Sequence, residues 1–319
     1  MRCYSAPMEG LTGYVFRNAH RRWFGGVEAY FTPFLSLKQE HRFQRRDLRD
    51  ILPENNEGTP VVPQVLTKSA QDFLWAAGEL EAMGYRRVDL NLGCPSGTVV
   101  AKGKGAGLLA DPTGLERFLE EIFEKARVEI SVKTRLGLED PGEFPALLEV
   151  FQRYPIAELT IHPRVRTDFY KGPVRLAAFE EALKACRLPL CYNGDLFTLA
   201  DCRSFAVRFP QVERVMLGRG LVGDPALARK ASGGPGADKE ALLAFHDALY
   251  EGYAASFGSL PNAMVRMKEH WSYFIRLFRE GDKLGKAIRK AATPQAYETA
   301  VAAVFSSLEL RADWGAGSP

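Results

Sequence analysis

No apolar run in this sequence approaches the ~20 residues that a membrane-crossing helix needs. The first ten residues, MRCYSAPMEG, lack the apolar stretch of about 7–15 residues that forms the heart of a secretory signal. Cysteine is scarce and odd in number: five in 319 residues, at positions 3, 94, 186, 191 and 202. There is no CxxC pair and no histidine at zinc-finger spacing, which argues against both a disulfide scaffold and a structural zinc site. Together these absences lead us to expect a reduced, cytoplasmic protein with free thiols, no membrane association and no metal. A large excess of one charge is also missing. The 42 Lys+Arg face 39 Asp+Glu, a net charge of +3, which does not suit a wholly polybasic protein. Its position says more than its size. Residues 264–290 carry eight basic and three acidic side chains, residues 291–319 sum to −2 and residues 1–263 to zero.

What is present is an ordinary globular balance, 46% hydrophobic and 25% charged, arranged as a repeating alternation. Short β-branched runs fall at 2–6, 27–31, 60–65, 87–92, 129–134, 157–162, 188–192 and 213–217. Helix-like stretches lie between them at about 12–23, 69–83, 112–127, 142–153, 176–186 and 198–208. Ser69 offers an N-cap, and Asp111-Pro112 a cap followed by proline at the first helical position. Eight evenly spaced strand–helix units predict an α/β fold of the (β/α)8 TIM-barrel type rather than a doubly wound sheet. The barrel is expected over residues 1–230 and a Gly/Pro-rich linker, ASGGPGA, over 231–237. A small all-helical domain is expected over 238–319. There Leu242, Phe245, Leu249 and Tyr253, and then Met264, Met267, Trp271, Phe274 and Phe278, recur at helical spacing. Two further short helices are expected at about 282–292 and 294–308. No internal repeat longer than the βα unit occurs.

In such a barrel the chemistry gathers at the carboxyl ends of the strands. Read in order, those ends hold Ala6-Pro7-Met8, Gln64, Asn91 with Gly93-Cys94-Pro95, Lys133 with Arg135, His162, Asn193-Gly194-Asp195 and Gly218-Arg219-Gly220. An amide, a lysine, a histidine and a cysteine on one rim suit a polar, planar ligand. Glycines after the seventh and eighth strands suit an anion, because backbone N–H groups can approach it closely. Flavin mononucleotide fits both features, and a phosphosugar would fit the glycine corner equally well. The triple glycine at 103, 105 and 107 is not a P-loop, since no GK[ST] follows it, and reads as a mobile lid.

The motifs APMEG (6–10), PQV (63–65), DLNLGCP (89–95), KGKGAGLL (102–109), VKTR (132–135), TIHPR (160–164), YNGD (192–195) and MLGRG (216–220) occur in that order. This series resembles the tRNA-dihydrouridine synthases over about residues 1–225. The resemblance implies FMN as cofactor, NADPH or NADH as reductant, and tRNA as partner; a monomer is expected, although the sequence leaves the oligomeric state open. It implies that Pro7, Met8 and Glu9 line the flavin, and that Gln64 and Lys133 bond its ring edge. His162 would sit beside the ring, while Asn193, Gly194, Asp195, Gly218 and Arg219 hold the phosphate. Cys94 would be the general acid, and Asn91 and Arg135 would contact the target uridine or its phosphate.

Plainer readings stand beside these. Gln64 could satisfy backbone groups at a strand end, His162 could be structural, and Cys94 could be inert packing. Reduction of the uracil C5–C6 bond needs a hydride at C6 and a proton at C5. A thiol near its reference pKa of ~8.5 is mostly protonated at neutral pH and can donate. A rival enzyme reading is a flavin-dependent barrel acting on a free pyrimidine, which has no need of a basic helical appendage. A rival of another class is an RNA-binding barrel that has lost its catalysis, and such a barrel need not keep all of Gln64, Cys94, Lys133 and His162. The basic segment supplies the expected tRNA contacts: Arg266, Lys268, Tyr273, Arg276 and Arg279, continued by Lys283, Lys286, Arg289 and Lys290.

Overall fold

The computed structural model describes residues 1–38 and 41–314. Its strands are β1 (Arg2–Ser5), β2 (Ala29–Phe31), β3 (Leu35–Lys38), β4 (Arg42–Phe43), β5 (Val61–Val62), β6 (Gln64–Leu66), β7 (Arg87–Leu92), β8 (Glu129–Arg135), β9 (Glu158–His162), β10 (Leu190–Asn193) and β11 (Arg214–Leu217). All eight expected strand regions are present, and helices alternate with them in the (β/α)8 order, followed by further helices. The 60–65 region is divided at Pro63, which has no N–H to give to a ladder. Its carbonyl instead accepts from the Asp89 amide at 2.8 Å. Not expected were the antiparallel β3–β4 pair, the helix Arg45–Ile51 and the short turns Gly97–Val100 and Gly105–Ala110.

The chain forms two compact units. One comprises Ala29–Gly194 and Gln211–Met216. Here β6, β7, β8, β9, β10 and β11 pair in parallel, each with the next. Residues in register point to the same face, so Gln64, Asp89 and Ser131 share one row and Asn91, Lys133, Thr160 and Cys191 another. Barrel interiors are usually filled by branched apolar side chains, whereas Gln64, Asp89, Ser131 and Thr160 are all buried here. The covering helices begin where the sequence provides caps. Ser69 Oγ accepts from the Asp72 amide at 3.1 Å, and Asp111 Oδ1 accepts from Gly114 at 3.0 Å. Caps of this kind are worth about 1 kcal/mol each.

The other unit comprises Met1–Glu28, Asp195–Pro210 and the chain from Leu217 onward. It holds the helices Tyr14–Trp23, Lys239–Phe257, Leu260–Phe274, Asp282–Lys290 and Pro294–Ser307. The expected apolar stripe is its core, since Met264, Met267, Trp271, Phe274 and Phe278 are all buried. The helix itself stops at Phe274, and a 3-10 turn over Ile275–Leu277 swings Phe278 into a bridge with Leu310. Phe16, from the helix Tyr14–Trp23, packs edge-on to Phe245 with ring centres 6.0 Å apart and stacks on His270 at 5.7 Å. Trp271 Nε1 donates to the Tyr297 hydroxyl at 3.0 Å, so the one polar atom of a fully buried indole is satisfied.

Candidate active site

Side chains of β6, β7 and β8 form a directed set of hydrogen bonds that ends on the loop after β7. Gln64 Nε2 donates to Asp89 Oδ2 at 2.7 Å, and Asn91 Nδ2 donates to Gln64 Oε1 at 2.6 Å. Asn91 Oδ1 then accepts from the backbone amides of Gly93 at 3.1 Å and Cys94 at 2.9 Å. The far end of the chain is anchored by Ser131 Oγ, which donates to Asp89 Oδ1 at 2.7 Å. Asn91 thus holds the Cys94 turn from below, an Asx-type arrangement suited to a short polar side chain.

Arg135 holds the same turn from the side. Its Nε donates to the Gly93 carbonyl at 2.9 Å, and its Nη1 to the Val165 carbonyl at 3.0 Å. Its guanidinium lies over the Tyr170 ring, 5.3 Å from the centre. The expected uridine contact is therefore a side chain that already ties two loops together. The glycine segment expected to be a lid is folded against the turn. Gly105 is left-handed at φ +57, a Cβ there would come 2.9 Å from Cys94 Cβ, and the Ala106 amide donates to the Cys94 carbonyl at 3.1 Å. Only glycine allows both that conformation and that approach.

Lys133 is half-buried and, among the described residues, makes no direct hydrogen bond or ion pair. Loss of water pushes its ammonium down to about 8, and Arg135 pushes the same way, while Asp89 opposes them. Burial likewise pushes the Asp89 carboxyl up to about 6, against the pull of Ser131, Gln64, Lys133 and Arg87. His162 is buried at the end of β9, where Arg164 Nη1 donates to its Nε2 at 3.0 Å. A guanidinium can only donate, so the neutral ring carries its proton on Nδ1. Asn193 is fixed by donation from Nδ2 to the Met216 carbonyl at 2.8 Å. At Gly194 a Cβ would collide with the Tyr192 hydroxyl.

The remaining expected residues lie in the unit that contains the N-terminal strand. Arg219 Nη2 donates to Asp195 Oδ1 at 2.6 Å and lies over Phe197 at 5.0 Å. Gly218 neighbours Ala6 and Met8, the Met8 amide donates to Thr12 Oγ1 at 2.8 Å, and Pro7 is half-buried beside an exposed Glu9. Of the expected RNA contacts, Arg266 pairs with Glu269, and Lys268 Nζ donates to the Ala291 carbonyl. Arg276 stacks on Trp314 at 5.0 Å, and Tyr273, whose carbonyl takes the Trp314 indole N–H, packs against the core. Arg279, Lys283, Lys286, Arg289 and Lys290 are exposed.

Sequence reasoning assigned no role to Asp89, Ser131, Arg164 or Tyr170. A period-two reading of the strands would have found the first two, because Asp89 and Asn91, and Ser131 and Lys133, share an inward face.

The Dihydrouridine synthase (Dus) family model matches residues 4–306. A tRNA-dihydrouridine(16) synthase of Cupriavidus necator is 29% identical over 308 residues, covering 91% of this chain and 92% of that protein. The protein of the same name from Ralstonia nicotianae is 30% identical over 238 residues, 72% of each. Among solved structures, morphinone reductase in complex with tetrahydroNAD aligns with a TM-score of 0.54 at 11% identity, over 76% of this chain and 90% of that one. That likeness concerns the barrel fold. With nearly its whole length matched, the chain belongs to the dihydrouridine synthase family.

Proposed function

We propose that this chain is an FMN-dependent tRNA-dihydrouridine synthase that uses NADPH to reduce the C5–C6 bond of a uridine in tRNA, with Cys94 as proton donor. The observation that carries the reading is the hydrogen-bond chain ending on the Cys94 amide beside a half-buried lysine with no direct partner. The names of the relatives from Cupriavidus necator and Ralstonia nicotianae make position 16 the target we propose.

The residues present fit a flavin. Lys133 offers three donors and a positive charge at the strand ends, and Gln64 keeps one N–H and one lone pair after bonding Asp89 and Asn91. Gly194 leaves its backbone bare because no side chain has room there. In this reading Gln64, Lys133 and His162 hold the ring, Pro7, Met8 and Glu9 line it, and Asn193, Gly194, Asp195, Gly218 and Arg219 serve its phosphate. When bound, the flavin supplies the hydride that reaches uracil C6.

The protein's own work is to align and to protonate. Lys133, charged below about 8, offsets negative charge on the ring. The turn held by Asn91 and Arg135 presents the Cys94 thiol, whose S–H bond breaks as the proton passes to C5. Asn91 and Arg135 reach the uridine or its phosphate through the donors they retain. Arg266, Lys268, Tyr273, Arg276 and Arg279 belong to the tRNA-binding segment of the 238–319 helical domain, with the exposed cations after Arg279 carrying most of the contact.

Purified protein should be yellow or become so with FMN, and should consume NADPH in the presence of unmodified tRNA. Cys94→Ala should keep the flavin and lose product by about 10²–10⁴-fold, the range for a missing general acid. Protein that takes up no FMN, or a Cys94→Ala variant with wild-type turnover, contradicts the proposal.

A further inference from the structure

Asp89 lies in the middle of β7 with no solvent exposure, in register with Gln64 and two residues before Asn91. Both of its carboxylate oxygens are used, one by Ser131 and one by Gln64. Between it and the Cys94 amide stand two side-chain amides, those of Gln64 and Asn91. A carboxamide has nearly the same shape when turned end for end, so shape alone does not orient it. Partners do. A backbone N–H can only donate, and an ionised carboxylate can only accept. Two amides strung between a fixed donor and a fixed acceptor have one self-consistent direction, and turning either alone sets like groups face to face.

We propose that Asp89 is a positioning residue for the Cys94 turn: by accepting from Gln64 it fixes the direction of the Gln64 and Asn91 amides and so keeps Asn91 Oδ1 under the Gly93 and Cys94 amides. This rests on the reading of Cys94 as proton donor. Without an acceptor at position 89, Gln64 Nε2 loses its partner, Asn91 Nδ2 is left as the one group that orients Gln64, and the hold on Asn91 beneath the turn is weakened. A buried charge is costly where an apolar side chain would pack, so a carboxylate here has its use in its accepting oxygens. The charges that reach Asp89 are Lys133 on β8 and Arg87 on its own strand, while β6 presents only the uncharged Gln64. The oxygen that Gln64 needs is Oδ2 alone, since Ser131 Oγ can donate to the other side of the group or accept from it.

The test compares flavin-loaded wild type, Asp89→Ala, Asp89→Asn and Cys94→Ala in two readouts. One is single-turnover uridine reduction in tRNA by pre-reduced enzyme. The other is the rate at which iodoacetamide modifies Cys94, read on its peptide by mass spectrometry. Asp89→Ala should slow turnover by about 10–100-fold, as a displaced reacting group does, and should change the Cys94 alkylation rate severalfold. Asp89→Asn can still accept from Gln64 while its own nitrogen donates to Ser131 Oγ. It should recover most of both rates. Wild-type behaviour of Asp89→Ala overturns the proposal, as does Asp89→Asn being as impaired as Asp89→Ala. If Asp89→Ala does not fold, Asp89→Leu, which keeps the volume and offers no acceptor, takes its place, and wild-type rates in that variant overturn the proposal. Wild-type turnover by Cys94→Ala would remove the proton-donor reading alone, and the alkylation rates would still judge Asp89.

Discussion

Lys133 brings three donors and a positive charge to β8 and, among the described residues, no direct hydrogen-bond or ion-pair partner. Its ammonium, ordinarily near 10.5, is pushed down to about 8, first by burial and then by Arg135. The charged form therefore dominates below about 8 and fades above it. If that charge holds the flavin, affinity for FMN should be full at pH 6–7 and fall as pH rises through about 8. Fluorescence titration across pH 6–9.5 measures this. Lys133→Met should bind about tenfold or more weakly at pH 7, in line with about 1.5–3 kcal/mol for a hydrogen bond from a charged group. Its affinity should also be flat over the same pH range. A wild-type profile without a fall near 8, or a Lys133→Met variant that retains it, means that another group sets the pH dependence. At this scale Gln64, Asn91, Cys94, Lys133 and His162 were singled out because they are polar residues at or just beyond the far ends of apolar strand runs. Asp89 and Ser131 were not, because mid-strand positions in a barrel are expected to be apolar packing. Arg164 was hidden for another reason: its tie to His162 depends on how the loop after β9 folds back, which two residues of spacing do not disclose.

The basic segment divides into two elements with different fates. On Leu260–Phe274 and the turn after it, Arg266, Lys268 and Arg276 are engaged by Glu269, Ala291 and Trp314. On Asp282–Lys290, Ile288 faces the core while Lys283, Lys286, Arg289 and Lys290 are exposed. Helical periodicity located both elements but could not tell a cation spent within the protein from one left for a polyanion. If the shorter helix meets tRNA phosphates, reversing its four cations to Glu should raise the apparent KM for tRNA and flatten its salt dependence. The slope of log affinity against log salt should drop by up to about 3, at roughly 0.7–0.9 per phosphate contact. FMN content should not change. Reversing Arg276 should instead lower thermal stability, because its stack on Trp314 is lost. Equal KM in the wild type and the four-cation variant would place the RNA elsewhere. The short β3–β4 pair and the helix Arg45–Ile51 escaped sequence reading because neither carries a sustained apolar period.

The strand–helix rhythm made the barrel class legible across the whole molecule, since every expected strand region formed. The rhythm could not show which helices share a core. Phe16 and His20 of Tyr14–Trp23 pack with Phe245, and Phe16 stacks on His270, so the beginning of the chain and its helical tail belong to one compact unit. A chain cut at about residue 236 would leave Phe16 and Phe24 facing water. At about 1.5–3 kcal/mol for each large apolar side chain uncovered, the cut chain should be strongly destabilised and should aggregate on heating well below the full chain. A cut chain with an unchanged melting temperature would show that the barrel stands without the tail. Point variants on the surface of the tail are thus the sound way to separate tRNA binding from folding.

The central claim is that this chain reduces uridine in tRNA with Cys94 supplying the proton, and mapping dihydrouridine in tRNA from cells with and without the gene tests it most directly. The account predicts that dihydrouridine at position 16 disappears on deletion, returns with the wild-type gene and does not return with Cys94→Ala. Unchanged dihydrouridine throughout tRNA in the deletion strain, or full restoration by Cys94→Ala, would contradict it.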